Sequence, residues 1–393
     1  MDWPGVAGRY RVELVLFAVA LAAYALSSDG LLAHQSFAPH FVWQADAFLH
    51  GRLDVQRPPN FNDWVLKDGR WYVSFPPFPA VVMMPFVWLY GMKFNDVLFT
   101  VVLASFNVPL LYRLLRRAGT ANERPVWQDA FFALLFGFGT LAWSCSIRGE
   151  VWFTAEVVGV TLTLLYLHAA LGAAHPFLAG LAVACASITR TPLAFSALFF
   201  LLEAVRTARP VLWKKLVPYA CAIVLVAIPM ALMNHARFGS FLEFGHSQLY
   251  NNRVNAQVAR YGLFNYAFLE RNLHAAFTRL PEIQFHPLRI GFNGEGMSLF
   301  VTTPLFFYLL WPKRKDVLQR ELWLTVAAVA LPGFFYQNSG YYQFGFRFSL
   351  DYTPYLILLL ALGGHRFTRL FVATAAAGVA VNAWGAAVFN RLY

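Results

Sequence analysis

Apolar positions along this chain fall in long uncharged blocks, such as residues 14–26, 97–111 and 355–362. A helix that crosses a bilayer needs roughly 20 mainly apolar residues. Lipid leaves two spanning solutions, helices and closed barrels, because the backbone must satisfy itself internally. Barrel strands alternate apolar and polar residues in short segments, and these blocks do not. The pattern predicts an all-α polytopic membrane protein with eleven spans. They fall at about 12–28, 94–112, 128–147, 151–171, 176–190, 192–205, 216–235, 297–311, 321–337, 349–363 and 370–389. Two long loops remain, about 29–93 and 236–296. No convincing internal repeat, low-complexity tract or linker divides the chain, so residues 1–393 read as one domain.

The positions of the basic residues orient this frame. Arg113, Arg116 and Arg117 follow the second span. Arg206, Arg209, Lys214 and Lys215 follow the sixth, Lys313, Arg314 and Lys315 the eighth, and Arg366 and Arg369 the tenth. With eleven spans all four clusters land on one side, which the positive-inside rule makes cytoplasmic. The expectation is a multi-pass protein of the bacterial inner membrane, N-terminus in the cytoplasm and both long loops on the periplasmic face. Arg9 and Arg11 before an apolar run resemble a signal peptide. The count works only if this segment is an uncleaved first helix. Residues 75–91 are apolar but hold four prolines. A full crossing there would invert every later loop, and proline disfavours a straight helix. The segment reads as an interfacial or re-entrant helix on the outer face.

Composition adds little to that picture. The chain is 59% hydrophobic and 13% charged, against about 25% charged for soluble domains. The net charge of +11 comes from loop residues that set topology and meet anionic lipid, not from a nucleic-acid surface. Cys145, Cys185 and Cys221 lie in apolar spans with no metal or disulfide spacing, and read as small core residues.

Candidate chemistry gathers on the outer side. In the first loop Asp46 and His50 stand four apart in an aromatic stretch, and Asp54 follows. A carboxylate beside the membrane is a candidate general base; Asp63 and Asp68 read as solvated loop acids. Arg148 and Glu150 flank the turn between the third and fourth spans, and Glu156 lies inside the fourth. An intramembrane acid is functional or sits in a structural ion pair, and both readings stay open. Arg190 ends the fifth span, and Arg347 and Asp351 open the tenth, four residues apart. Arginines at the mouth of a bundle can fork onto a phosphate or pair with a neighbouring acid. The second loop adds Glu243, His246, Arg289 and Glu295 among others. No trio there has metal-ligand spacing, and no phosphate-cradling glycine motif occurs.

Several segments carry a resemblance: QADAFLHGRLDV, DGRWYVSFPPFP, TRTP, NGEGMSLFVTTP and QFGFRFSLDYTP. Together they resemble the C-type membrane glycosyltransferases, closest to bacterial relatives of the dolichyl-phosphate-mannose protein mannosyltransferases. The resemblance implies the GT-C fold and transfer of a sugar from a polyprenyl-phosphate donor lipid to a glycan, lipid or protein acceptor on the outer face. A first-loop acid would be the base: Asp46, Asp54 or, less favoured, Asp29, with Glu150 and Glu156 in reserve. Arg347 and Arg190, backed by Arg148 and Arg289, would hold the donor phosphate. His50, Glu156 and Asp351 would orient the acceptor or these groups. The stretch before Asp46 departs from the family pattern, because it lacks the paired acids many relatives have there. No cofactor is implied with certainty, and a divalent metal stays open. Two rival readings are a transporter or flippase of a lipid or small solute, and a non-catalytic membrane subunit.

Overall fold

The computed structural model describes residues 10–119, 124–250 and 252–389. Helix α1 (Arg11–Ser27) leads into the first long loop. That loop holds α2 (His40–Leu49), a hairpin of β1 (Trp64–Lys67) and β2 (Arg70–Val73), and α3 (Phe78–Tyr90). Then follow α4 (Asp96–Ala118), α5 (Val126–Phe138), α6 (Ala142–Ser146), α7 (Val151–Ala170), α8 (Pro176–Ser187), α9 (Ala197–Thr207) and α10 (Leu212–Phe238). The second long loop carries α11 (Asn252–Tyr261), α12 (Leu269–Leu273) and a hairpin of β3 (Glu282–Phe285) and β4 (Leu288–Gly291). The chain then returns to helices with α13 (Leu299–Thr302), α14 (Val317–Phe335), α15 (Thr353–Leu362) and α16 (Arg369–Phe389).

By length and composition, four helical stretches among the described residues can cross a membrane: Asp96–Ala118, Val151–Ala173, Arg209–Phe238 and Arg369–Phe389. The other predicted spans are shorter, less apolar or broken. The stretch at 128–147 splits at Gly139, where α5 ends. Those at 192–205, 297–311 and 349–363 each pair a short α-helix with a 3₁₀ stretch. Proline explains two of these breaks: Pro192 and Pro304 each open a 3₁₀ stretch, where a missing N–H costs least. The segment read as interfacial forms α3, with Pro85 inside it.

Two helices show how burial sorts apolar sequence. In α15, residues Thr353 through Ala361 are all buried, so a helix apolar on every side is the centre of the bundle. Helix α10 is apolar through its middle but exposes Val224, Leu225, Ile228 and Leu232, each at least half accessible. Such a face belongs against lipid, and Cys221 on this helix is exposed too. The expectation that all three cysteines are core residues holds only for Cys145 and Cys185.

The two ends of the bundle differ in chemistry. One end joins the C-terminal end of α4 to the start of α5 through Arg116 and Arg124 on Asp129, at 2.7 and 2.8 Å. The same end joins α9 to α14 through Arg206, Glu203 and Glu321. Here lie the basic clusters that the sequence assigns to the cytoplasm. The opposite end gathers both long loops, the start of α7, the ends of α8 and α14, and the 3₁₀ turn Arg347–Asp351 that precedes α15.

Candidate active site

At that loop-covered end lies a cavity of about 310 Å³. Its polar lining includes Asp63, Arg190, His246, Gln337, Arg347 and Asp351, and its apolar lining includes Leu242, Phe264 and Val329. Four charged side chains from three separate segments cluster here: Arg190, Arg347 and Asp351 line the cavity, and Glu156 is buried behind them. Glu156, on α7, accepts from Arg347 Nη1 at 2.7 Å and lies 3.6 Å from Arg190 Nη1. Asp351 takes Arg190 bidentately, at 2.5 Å from Nε and 2.8 Å from Nη2. Arg347 also donates Nε to the Gly340 carbonyl at 3.1 Å. The Glu156 side chain is fully buried and those of Arg190 and Arg347 are about nine-tenths buried. Phe348 packs under both guanidinium groups, 5.2 Å from Arg190 and 5.0 Å from Arg347. The described residues give Arg347 Nη2 no hydrogen bond, and Oε2 of Glu156 is buried without a partner. The cluster is therefore neutral in sum but retains donor capacity on the Arg347 fork.

The first loop supplies a further part of the lining. Asp63 has φ 56°, in the left-handed region, which Asp tolerates better than most residues. Its backbone is pinned by the Ser74 hydroxyl, which donates to the Asp63 carbonyl at 2.7 Å. Trp152 Nε1 donates to Asp63 Oδ2 at 2.7 Å. The hairpin turns through Asp68 and Gly69, both at positive φ, the two-residue geometry that an Asp-Gly pair favours. That turn fixes the register that places Trp64 and Val73 opposite each other, and with them Asp63 and Ser74. Two imidazoles stand nearby. His40 stacks on Trp64 at 4.2 Å and shares a 2.8 Å hydrogen bond with the Asn62 carbonyl. His246 packs edge-on against Phe75 at 5.1 Å. Burial pushes the pKa of each below the usual histidine range, opposed in part by the Asp63 charge.

No family model and no curated protein matches this chain. Solved structures do. The chain aligns with the apo oligosaccharyltransferase of Archaeoglobus fulgidus at TM-score 0.56 and 11% identity, over 100% of this chain and 56% of that one. It aligns with ArnT from Cupriavidus metallidurans bound to undecaprenyl phosphate at TM-score 0.54 and 14% identity, over 96% of this chain and 64% of that one. A third match is archaeal AglB from Archaeoglobus fulgidus in complex with an inhibitory peptide and a dolichol-phosphate, at TM-score 0.53 and 13% identity. It covers 98% of this chain and 56% of that one. The chain has the GT-C fold. It spans between 56% and 64% of the length of these three structures.

Within this GT-C fold the residues singled out from sequence divide into two groups. Arg190, Arg347, Glu156 and Asp351 come together at the cavity. The pairing differs from the simplest expectation: residues 347–351 form a 3₁₀ turn, and Asp351 reaches across to Arg190 instead of back to Arg347. Asp46, His50, Asp54, Arg148, Glu150 and Arg289 do not line the cavity. Asp46 sits on α2, 3.5 Å from both His50 and Arg52 at a partly exposed surface, and His50 is largely exposed. Arg148 and Glu150 close on each other in a buried pair at 2.6 and 3.1 Å, with the guanidinium against Phe153 and Phe389. Arg289 is exposed on the β3–β4 hairpin.

The structure adds Asp63, which the sequence reading left as a solvated loop acid, together with Trp152, Tyr336 and Gln337. The signal for Asp63 was available in part. An Asn-Asp step, then an apolar strand, then an Asp-Gly turn is a hairpin pattern. What no local pattern holds is that Trp152, 89 residues away, would reach it. Among the described residues no group of three or more His, Cys, Asp or Glu side chains is arranged to hold a metal ion.

Proposed function

We propose that this protein is a membrane glycosyltransferase that moves a sugar from a polyprenyl-phosphate donor to an acceptor hydroxyl in the cavity between its two long loops. One observation carries the reading. One cavity at one end of an apolar helical bundle is lined by both two largely buried arginines and a loop carboxylate. A lipid-linked sugar phosphate requires those three elements: an apolar approach, cations for the phosphate, and a base. The fold supports it, because the similar structures include ArnT with undecaprenyl phosphate and AglB with a dolichol-phosphate.

In this mechanism Asp63 takes the place first considered for Asp46 and Asp54. Its Oδ2 is held by Trp152, and the described residues give Oδ1 no hydrogen bond. Oδ1 accepts the acceptor's hydroxyl proton as the acceptor oxygen bonds to the anomeric carbon. The anomeric carbon–phosphate oxygen bond breaks, and the departing phosphate keeps the electron pair. Arg347 and Arg190 stabilise that charge, in a site where burial magnifies electrostatic effects. Attack opposite the leaving group inverts the anomeric centre, through an oxocarbenium-like transition state. The apolar lining residues Leu242, Phe264 and Val329 would receive the first part of the prenyl chain. In this reading the loop-covered end faces the periplasm, an orientation supported by the basic residues at the opposite end.

The test uses full-length protein in lipid nanodiscs with a panel of radiolabelled undecaprenyl-phosphate sugars and a membrane-lipid and glycan extract as acceptor. Donor-dependent label transfer is expected. Asp63→Asn should lower turnover by about 10²–10⁴-fold without loss of undecaprenyl phosphate binding. Movement of labelled donor across vesicles with the sugar still attached, and no transfer, would replace this reading with the transporter.

A further inference from the structure

Helix α7 lines the cavity with Trp152, and Glu156, one helical turn further along the same side, is buried behind the lining arginines. Glu156 receives Arg347 at 2.7 Å, and Trp152 donates to Asp63 at 2.7 Å. One rigid helix therefore touches both chemical halves of the site. The Trp152 indole is itself held in place, with Phe37 at 5.9 Å and His40 at 6.4 Å between ring centroids. An indole N–H can donate but never accept. It can fix a carboxylate oxygen without competing for the proton that the carboxylate is to receive. A hydrogen bond onto an ionised acceptor is also among the stronger kinds.

We infer that Trp152 is a positioning residue for Asp63. It clamps Oδ2 so that Oδ1 is presented to the acceptor, and, with Glu156 on the same face, α7 sets the distance between base and phosphate-binding arginine. This inference rests on Asp63 being the base, as proposed above. Three features of the geometry stand behind it. Asp63 sits in a left-handed backbone conformation immediately before β1, which fixes where its side chain starts. Its carbonyl is tied separately to Ser74. Of its two carboxylate oxygens, only Oδ2 receives a hydrogen bond from the described residues, and that bond comes from Trp152.

The experiment has a substrate-free arm and a kinetic arm, both on the full chain in nanodiscs. In protein labelled with ¹⁵N at tryptophan, the indole resonance missing from Trp152→Phe identifies Trp152. It should shift upfield in Asp63→Asn, where the acceptor is no longer charged, while indoles distant from the site stay in place. Kinetically, Trp152→Phe keeps an aromatic ring and removes only the N–H. With the donor that wild type uses, it should lose about tenfold in kcat, the weight of one charge-assisted hydrogen bond. The donor KM and the binding of undecaprenyl phosphate should stay at wild-type values. Trp152→His, which retains a ring N–H, should recover part of the loss. Two results would overturn the inference alone, provided Asp63→Asn is inactive: full kcat in Trp152→Phe, or an indole resonance unmoved by Asp63→Asn. A rise in donor KM with unchanged kcat would also overturn it, by making Trp152 a donor contact. Full turnover by Asp63→Asn would remove the base assignment and this inference together.

Discussion

Breaking the contact between Glu156 and Arg347 separates what the charged wall does for folding from what it does for chemistry. The Glu156 side chain is fully buried and that of Arg347 is 7% exposed. Arg190 keeps its bidentate bond to Asp351 when Glu156 is removed, but Arg347 keeps only the Gly340 carbonyl. Glu156→Ala therefore strands a buried guanidinium, a lesion that costs about 3–5 kcal/mol. Glu156→Gln retains a hydrogen-bond acceptor and should cost less, about 1–3 kcal/mol. Arg347→Met leaves Glu156 with Arg190 at 3.6 Å and should fall in the same range as Glu156→Ala. Replacing both partners, Glu156→Leu with Arg347→Met, removes the charges together and fills the space with apolar atoms. Such double replacements are often neutral, so the double variant should regain stability near wild type. It should still be inactive, because the donor phosphate has lost its arginine. Reversible unfolding in mixed micelles of wild type, Glu156→Leu, Arg347→Met and the double variant yields the four stabilities from which the double-mutant cycle takes the coupling. A coupling under about 0.5 kcal/mol, or a double variant that transfers sugar normally, would refute the argument.

Other outcomes follow from the same geometry. Arg347→Lys keeps the charge but loses the planar fork, and should weaken undecaprenyl phosphate binding at least tenfold by native mass spectrometry. Asp46→Asn breaks only a partly exposed pair of the kind worth about 0–1 kcal/mol, so turnover should stay within about twofold of wild type. Burial lowers the pKa of His40 and His246 below the unfolded value of about 6.5. The unfolded chain therefore binds more protons just below that pH. Their contribution is complete above about pH 6.5 and is lost as pH falls toward the folded pKa values, so the midpoint of thermal unfolding should drop between pH 7.5 and 5.5. His40→Phe should reduce that drop.

Much of the architecture was legible in the order of residues. Blocks of apolar sequence become helices, because a backbone in lipid has few other ways to bond itself, and helix starts such as Val151, Pro176 and Arg369 fall within a few residues of the predicted ones. Arg190, Arg347 and Glu156 could be singled out because charge is conspicuous in an apolar stretch. Their partnership could not be read. Arg347 and Asp351 are four apart, and in an α-helix they would have met. The 3₁₀ turn that precedes Pro354 separates them, and Arg190 brings its guanidinium from 161 residues away. The carboxylate that the first loop brings to the cavity was the hardest to see. In sequence, Asp46, Asp54 and Asp63 are three loop acids, and aromatic neighbours mark Asp46 at least as strongly as Asp63. What distinguishes Asp63 is a positive φ, a hairpin register and an indole delivered by a distant helix. Hydrophobic periodicity is a local property that solvent imposes on each segment separately, so the sequence determined the helices and the end of the bundle where polar groups collect. Which acid meets which arginine depends on distances between segments that only their mutual packing sets, and the tertiary structure alone decided it.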